Sequence, residues 1–199
     1  MKREVFRNNE VGLQEVRFRK PHLVMADCGA AAVRLMTKDV INPGVQIGHV
    51  RLKVADLERS LAFYCDVLGF ELMQRMGAEA AFVSAGSYHH HIGLNTWDSR
   101  GGSPPASGTT GLFHVGILYP TRAALADALR RLMKAGITLD GASDHGVSEA
   151  LYLRDPDENG IELYWDKPRK LWPRTAAGAL AMFTRPLDVE GLLREPDPY

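Results

Sequence analysis

Two long stretches of the chain repeat one order of apolar and polar positions. Residues 47–72 read IGHVRLKVADLERSLAFYCDVLGFEL, and residues 112–139 read LFHVGILYPTRAALADALRRLMKAGITL. Each stretch begins with a His-Val pair in a short strand-like run. An N-cap candidate, Asp56 or Thr121, stands seven residues after that histidine, where its side-chain oxygen is suited to begin a helix. Both stretches therefore predict a strand followed by a helix.

An amphipathic helix is predicted after each cap, because apolar residues recur there at helical spacing. The apolar stripes consist of Leu57, Leu61, Tyr64 and Leu68 in the first helix and of Leu125, Leu129 and Leu132 in the second. A glycine, Gly69 or Gly136, follows each helix and suits the left-handed position after a helix C-terminus.

The segments that follow the two helices also correspond. Residues 80–98, AAFVSAGSYHHHIGLNTWD, align with residues 150–166, ALYLRDPDENGIELYWD, and each predicts two strands joined by a turn. IGL at 92–94 falls on IEL at 161–163. Internal duplication of this kind predicts an α+β fold of two pseudo-symmetric βαβββ modules whose sheets form a shared cleft.

The duplication also predicts how the chain is divided. Between the modules lies SRGGSPPASGTTG, which has the composition of a loop. The expected segments are an N-terminal extension at 1–44, a first module at 45–98, a linker at 99–111, a second module at 112–166 and a C-terminal tail at 167–199.

Composition excludes several classes of partner. The 199 residues carry 24 basic and 24 acidic side chains, so no basic surplus favours binding to nucleic acid or to an anionic membrane. No apolar run approaches the roughly 18 residues that a membrane span needs. Two cysteines, Cys28 and Cys65, form no disulfide framework, so we expect a reducing cytoplasm.

The repeat places three metal-ligating residue types at related positions. His49 and His114 are equivalent at the starts of the first strands, and Glu162 is equivalent to Gly93 on the last strands. Two histidines and one carboxylate with open positions form the arrangement of non-haem Fe(II) oxygenases, although Mn(II), Zn(II) and Ni(II) also accept these ligands. We therefore expect a metal-binding cleft; the alternative is that each histidine is a surface or hydrogen-bonded residue.

Three consecutive histidines, His89 to His91, precede IGLN and raise the question of a second set of ligands. If a strand covers residues 89–96, alternation places His91 on the cleft face with Gly93, and His90 on the opposite face. We therefore expect His91 to lie at the cleft without binding the metal. His89 and His90 are expected to be structural or exposed, and all three are alternatively a polar strand start.

These motifs resemble a known family. HVRLKVADLERSLAFYCDVLGFEL resembles the vicinal oxygen chelate superfamily, which includes glyoxalase I, bleomycin-resistance proteins and extradiol dioxygenases. SYHHHIGLNTW together with SDHGVSEALYLRDPDENGIELYWD is similar, more narrowly, to extradiol members of the catechol 2,3-dioxygenase type. The resemblance covers roughly residues 45–170.

The resemblance implies a role for each candidate residue. The metal ligands that it implies are His49, His114 and Glu162. It implies that His91 acts as an acid/base near bound O₂, that His145 forms a hydrogen bond with a substrate hydroxyl, and that Tyr152 lies beside a substrate oxygen. The alternatives are that His145 caps a turn and that Tyr152 is a core aromatic residue.

The function that the resemblance implies is extradiol cleavage of a catechol-type substrate by O₂, with Fe(II) as the expected metal and Mn(II) or another divalent metal as the alternative. Homo-oligomers are expected by analogy alone. A glyoxalase-like lyase or isomerase generally uses four protein ligands, and Gly93 offers none in the fourth position. A small-molecule-binding resistance protein usually lacks the ligand set.

Overall fold

A computed structural model describes residues 41–199, and its first four strands form a mixed sheet. These strands are β1 (Val50–Lys53), β2 (Glu71–Met76), β3 (Ala80–Ser84) and β4 (Ile92–Asn95), arranged in the order β1-β4-β3-β2. β1 and β4 are parallel, whereas β3 is antiparallel to both of its neighbours. The predicted extension therefore lies almost wholly outside the described residues.

The first helix begins and ends as the sequence predicts. α1 (Leu57–Leu61) continues as a π-helix (Ala62–Val67), and the Asp56 carboxylate accepts a hydrogen bond from the Arg59 amide. Gly69 follows with a φ of 85°, a conformation that glycine adopts without a steric penalty. The predicted apolar stripe of this helix is buried in full.

The second sheet repeats the arrangement and adds one strand. Its strands are β5 (Val115–Leu118), β6 (Gly141–Asp144), β7 (Ser148–Arg154), β8 (Gly160–Asp166) and β9 (Arg185–Pro186), in the order β5-β8-β7-β6-β9. α2 (Arg122–Lys134) connects β5 to β6, and its N-cap Thr121 accepts a hydrogen bond from the Ala124 amide. The predicted α+β class with two related sheets is confirmed.

The registers of the two parallel strand pairs agree residue for residue. In the first sheet Arg51 lies opposite Gly93, and in the second Gly116 lies opposite Glu162. Arg51 and Gly116 each stand two residues after the repeated histidine of their strand. The predicted equivalence of Gly93 and Glu162 is therefore confirmed by the strand pairing.

One apolar core joins the two modules. Its fully buried members include Tyr64, Val83 and Leu94 from the first module and Leu125, Leu132, Leu151 and Leu163 from the second. Burial of these side chains is the main favourable term that holds the modules together. Residues Val45–Tyr199 accordingly form one compact unit.

The C-terminal tail packs on the second module. A 3-10 turn (Arg169–Leu171) and β9 lead to a short helix, α3 (Val189–Leu193), whose Leu192 is fully buried. Arg122 of α2 donates hydrogen bonds to the Gly191 carbonyl and to the Glu195 carboxylate. Among the described helices, none is long and apolar enough to cross a membrane.

Candidate active site

His114 and Glu162 meet at the start of the second sheet. His114 precedes β5, and Glu162 lies on the adjacent parallel strand β8. The His114 Nε2 atom is 3.0 Å from the Glu162 Oε2 atom, and both side chains are partly exposed. A lone pair on Nε2 would repel the carboxylate at this distance, so the contact requires a proton or a metal cation between the two atoms.

The close approach of β5 to β8 depends on a glycine. A Cβ atom on Gly160 would lie 2.0 Å from the Phe113 carbonyl oxygen and 3.0 Å from the His114 Cβ atom. No side chain fits there unless the two strands separate. Gly160 therefore allows the His114 imidazole, just before β5, to contact the Glu162 carboxylate.

The turn before Gly160 is held by a buried aspartate. Asp155 accepts hydrogen bonds from the backbone amides of Asp157 and Asn159 and from the side chain of Asn159. The Tyr64 hydroxyl of the first module donates a further hydrogen bond to Asp155 at 2.9 Å. The DPDENG motif thus has a structural role, because its first residue organises the turn and anchors it to the other module.

A second aspartate of the same turn also joins the modules. Asp157 accepts hydrogen bonds from the Ala55 amide, from the Arg59 guanidinium and, at 3.4 Å, from the Ser60 hydroxyl. Asp157 is buried, so these donors compensate the cost of removing its charge from water. The position of Gly160, and with it that of His114, therefore depends on contacts with the first module.

Tyr152 lies directly opposite Glu162 on the antiparallel strand β7. Its hydroxyl donates a hydrogen bond of 2.9 Å to the Glu162 Oε1 atom. Burial, together with the hydrogen bond to and the charge of Glu162, raises the pKa of Tyr152 to about 12. The phenol therefore stays protonated near neutral pH and remains a donor to the carboxylate.

His145 continues this line of polar side chains. Its Nε2 atom is 2.7 Å from the Tyr152 hydroxyl oxygen. Its Nδ1 atom is 3.2 Å from the Phe183 carbonyl oxygen and 3.1 Å from the Thr184 hydroxyl, both in the C-terminal tail. The structure thus brings four predicted site residues together in the sequence of contacts His114, Glu162, Tyr152 and His145.

His49 and His91 lie in a different cavity. The two histidines line a cavity of about 310 Å³ together with apolar residues of β1 and β5. His114 and Tyr152 line a separate cavity of about 300 Å³. Between residues 41 and 199, no three His, Cys, Asp or Glu side chains lie close enough to hold one metal ion, so His49 is not gathered with His114 and Glu162.

The three consecutive histidines precede β4 and do not form part of it. The His91 Nδ1 atom lies 2.9 Å from the Ser84 hydroxyl and accepts a hydrogen bond from the Ala85 amide. The His90 ring packs on Phe82, with the ring centres 4.9 Å apart. Because Phe82 lies opposite Gly93, this contact places His90 on the face that carries Gly93.

The expectation that His90 faces away from the cleft is therefore wrong. Strand alternation does not extend to residues 89–91, because β4 begins only at Ile92. The His90 ring also lies 4.5 Å from that of His49, centre to centre. Burial and the neighbouring charges, those of His49 first, lower the pKa of His90.

The side chains of His114 and Glu162 are suitable ligands for a divalent metal. Imidazole and carboxylate are ligands that Fe(II), Mn(II) and Zn(II) accept, and the two side chains already converge on one point. The buried Nδ1 atom of His114 has no hydrogen-bond partner among the described residues, whereas a metal-binding histidine usually donates from its second nitrogen. Two of the three predicted ligands are therefore in contact with each other. The hydrogen bond that usually orients a metal-binding histidine is absent at His114 among the described residues.

The sequence profile of the Glyoxalase/Bleomycin resistance protein/Dioxygenase superfamily matches residues 46–163. Catechol-2,3-dioxygenase of Bacillus subtilis (strain 168) is 44% identical over 155 residues, which are 78% of this chain and 53% of that protein. Biphenyl-2,3-diol 1,2-dioxygenase 3 of Rhodococcus globerulus is 32% identical over 123 residues, 61% of this chain and 63% of that protein. The matched residues therefore span between half and two thirds of the length of these relatives.

A solved structure has the same fold. The crystal structure of a glyoxalase/dioxygenase from Nostoc punctiforme aligns with a TM-score of 0.54 at 19% identity, over 65% of this chain and 97% of that one. The profile match covers more than half of the chain and includes both repeats. The chain belongs to the Glyoxalase/Bleomycin resistance protein/Dioxygenase superfamily.

Proposed function

We propose that the protein is an extradiol ring-cleaving dioxygenase that acts on a catechol-type substrate with O₂. The observation that carries this proposal is the line of contacts from His114 through Glu162 and Tyr152 to His145. It joins a candidate metal-binding pair to a protonated phenol and an imidazole, which are groups suited to orienting a diol and to exchanging protons with it. The two relatives named for dioxygenation of catechol and of biphenyl-2,3-diol support the same reaction class.

The proposed metal ligands are His49, His114 and Glu162, with Fe(II) as the metal. Support for His49 comes from the duplication, since His49 and His114 stand at equivalent positions relative to the paired residues of their sheets. When bound, such a metal supplies a Lewis acid that lowers the pKa of a catechol hydroxyl. Binding by all three ligands requires His49 to come closer to His114 and Glu162 than it lies in this structure.

The surrounding side chains supply hydrogen bonds and proton transfer. Tyr152 donates to Glu162 Oε1 and so holds the carboxylate plane toward His114. His145 donates from Nε2 to the Tyr152 oxygen, which keeps the tyrosine proton directed at Glu162. Because Tyr152 has a single hydrogen, it would donate to a substrate oxygen only in place of its hydrogen bond to Glu162.

His91 is the proposed acid/base for the substrate. Its Nδ1 atom accepts the Ala85 amide hydrogen, so the neutral ring carries its proton on Nε2. Ser84, which is fully buried, holds the same Nδ1 atom and fixes the ring. His91 lines the cavity that also contains His49, and its protonated ring can give up the Nε2 hydrogen to a bound oxygen. To take up a proton at Nε2, the neutral ring must instead carry its hydrogen on Nδ1, where the Ser84 hydroxyl can accept it.

Oxygen uptake tests the proposed function. The full chain is loaded anaerobically with Fe(II), mixed with catechol or a substituted catechol, and exposed to air while O₂ and visible absorbance are recorded. We expect iron-dependent O₂ uptake and a yellow ring-opened product. Iron binding without O₂ uptake over a panel of catechols would favour a lyase or isomerase of the same fold, and failure to bind any metal would favour a binding protein.

A further inference from the structure

The C-terminal tail is seated against the loop that carries His145. β9 pairs with β6, and the Phe183 amide donates to the His145 carbonyl. Gly146 has a φ of +77°, and a Cβ atom there would lie 2.6 Å from the Phe183 ring. The tail therefore covers this loop at a distance that only glycine permits.

The tail also reaches the imidazole of His145. Thr184 places its hydroxyl 3.1 Å from the Nδ1 atom, and the Phe183 carbonyl oxygen lies 3.2 Å from the same atom. On the other side of the ring, the Nε2 atom faces the Tyr152 oxygen at 2.7 Å. Both ring nitrogens thus have partners, and the tail supplies those of Nδ1.

The single hydroxyl hydrogen of Tyr152 determines which nitrogen of His145 carries a hydrogen. A tyrosine hydroxyl has one hydrogen, which Tyr152 donates to Glu162, so its oxygen accepts from a hydrogen on His145 Nε2. The neutral ring then has a lone pair on Nδ1. A carbonyl oxygen cannot donate to that lone pair, whereas the Thr184 hydroxyl can.

We propose that Thr184 is a positioning residue for His145. This proposal rests on the proposed function and adds a group from the C-terminal tail to it. The Thr184 hydroxyl donates to Nδ1 of the neutral ring, which keeps the ring proton on Nε2 and directs it at Tyr152. When the ring is protonated, the same hydroxyl and the Phe183 carbonyl accept from Nδ1–H, so the ring stays in place while a proton moves.

Nuclear magnetic resonance tests the contact in the metal-free full chain. Long-range ¹H–¹⁵N spectra report which imidazole nitrogen carries the proton, and His145→Gln assigns the signal. We expect the neutral ring to be protonated at Nε2 in the wild type and in Thr184→Ser, and to become a mixture of tautomers in Thr184→Val. Thr175→Val is the matched control, because Thr175 is an exposed threonine of the same tail.

Steady-state kinetics test the consequence for catalysis. We expect Thr184→Val to lower kcat with catechol by about three- to tenfold, the value of one hydrogen bond, with little change in KM. Thr184→Ser should restore kcat because it keeps the hydroxyl, and Thr175→Val should equal the wild type.

Two results would overturn the proposal. One is an unchanged His145 tautomer in Thr184→Val. The other is a changed tautomer with unchanged kcat, which would make the contact structural only. A wild type that cleaves no catechol would refute the proposed function, and the spectra would still decide whether Thr184 positions His145.

Discussion

The hydroxyl of Tyr152 connects the His114–Glu162 pair to His145. It donates to Glu162, which faces His114, and it lies within hydrogen-bond distance of His145. Because its pKa is raised to about 12, mainly by burial and then by Glu162, it stays a donor throughout the neutral range. Removal of this one oxygen should disturb the orientation of Glu162 and His145 without removing a metal ligand.

Tyr152→Phe is therefore expected to keep iron and to lose turnover. A donor directed at a reacting or ligating oxygen contributes about ten- to a thousandfold to a rate, and we expect a decrease in that range. Iron content by metal analysis and kcat by O₂ uptake measure the two effects. Tyr119→Phe is the control, since Tyr119 lies outside the contacts of the site; iron loss in Tyr152→Phe would contradict the prediction.

Histidine replacements separate ligands from the proposed acid/base. His114→Ala and His49→Ala should each lose iron, whereas His91→Ala should keep iron and lose turnover. His89→Ala, a replacement of an exposed histidine in the same run of three, should keep both. Metal analysis after anaerobic loading distinguishes the variants, and equal iron loss in His91→Ala and His114→Ala would exclude this division of roles.

At the scale of single elements, the turn between β7 and β8 determines where the site forms. Asp155 orders the backbone of the turn, and Asp157 binds the first module through Arg59 and Ala55. Gly160 at the end of the turn lets β5 lie against β8. A change at Gly160 should therefore affect both stability and metal binding.

Gly160→Ala is expected to destabilise the protein by about 1–3 kcal/mol or more, because the new methyl group must displace the Phe113 backbone. It should also weaken iron binding, since His114 follows Phe113. Gly141→Ala is the matched control in the same sheet, because a Cβ atom at Gly141 meets nothing within 4 Å. Urea unfolding measures stability, and equal midpoints for the two variants would refute this account of the turn.

The fold followed from local signals in the sequence, and the assembly of the site did so only in part. The caps at Asp56 and Thr121, the buried stripes and the equivalence of Gly93 with Glu162 are properties of single elements and of strand pairing, which periodicity reports. The position of His90 depends on the end of a strand, which periodicity locates poorly.

Contacts between distant segments escaped the sequence patterns. Thr184 contacts His145 although the two residues are 39 positions apart in the chain, and no periodic signal marks that contact. The separation of His49 from His114 depends on how the two sheets are arranged, which the repeat alone does not specify. The motif DPDENG was a sign of family resemblance, and its contacts with Tyr64 and Arg59 show its structural role.

At the scale of the whole molecule, a single core and an attached tail hold both halves together. The buried cluster draws on both modules and on Leu192 of α3. Arg130 and Arg122 of α2 bind backbone carbonyls of the tail. The tail is therefore part of the same folded unit as the sheet that it covers.

Leu192→Ala is expected to lower the free energy of unfolding by about 2–5 kcal/mol, the usual cost of a cavity at a fully buried leucine. Leu171→Ala, in the same tail but 61% exposed, should change stability by less than about 0.5 kcal/mol. Urea denaturation followed by circular dichroism gives both values. A small effect at Leu192 would mean that α3 contributes little to the folded unit.

The most direct test of the central claim is the fate of isotopic oxygen. The iron-loaded full chain is incubated with catechol under ¹⁸O₂, and the product is identified by mass spectrometry. Extradiol dioxygenation predicts one ring-opened product, cleaved beside the diol, that contains both atoms of the labelled O₂. A product with an intact ring, a product cleaved between the two hydroxyl-bearing carbons, or a product without the label would contradict the account.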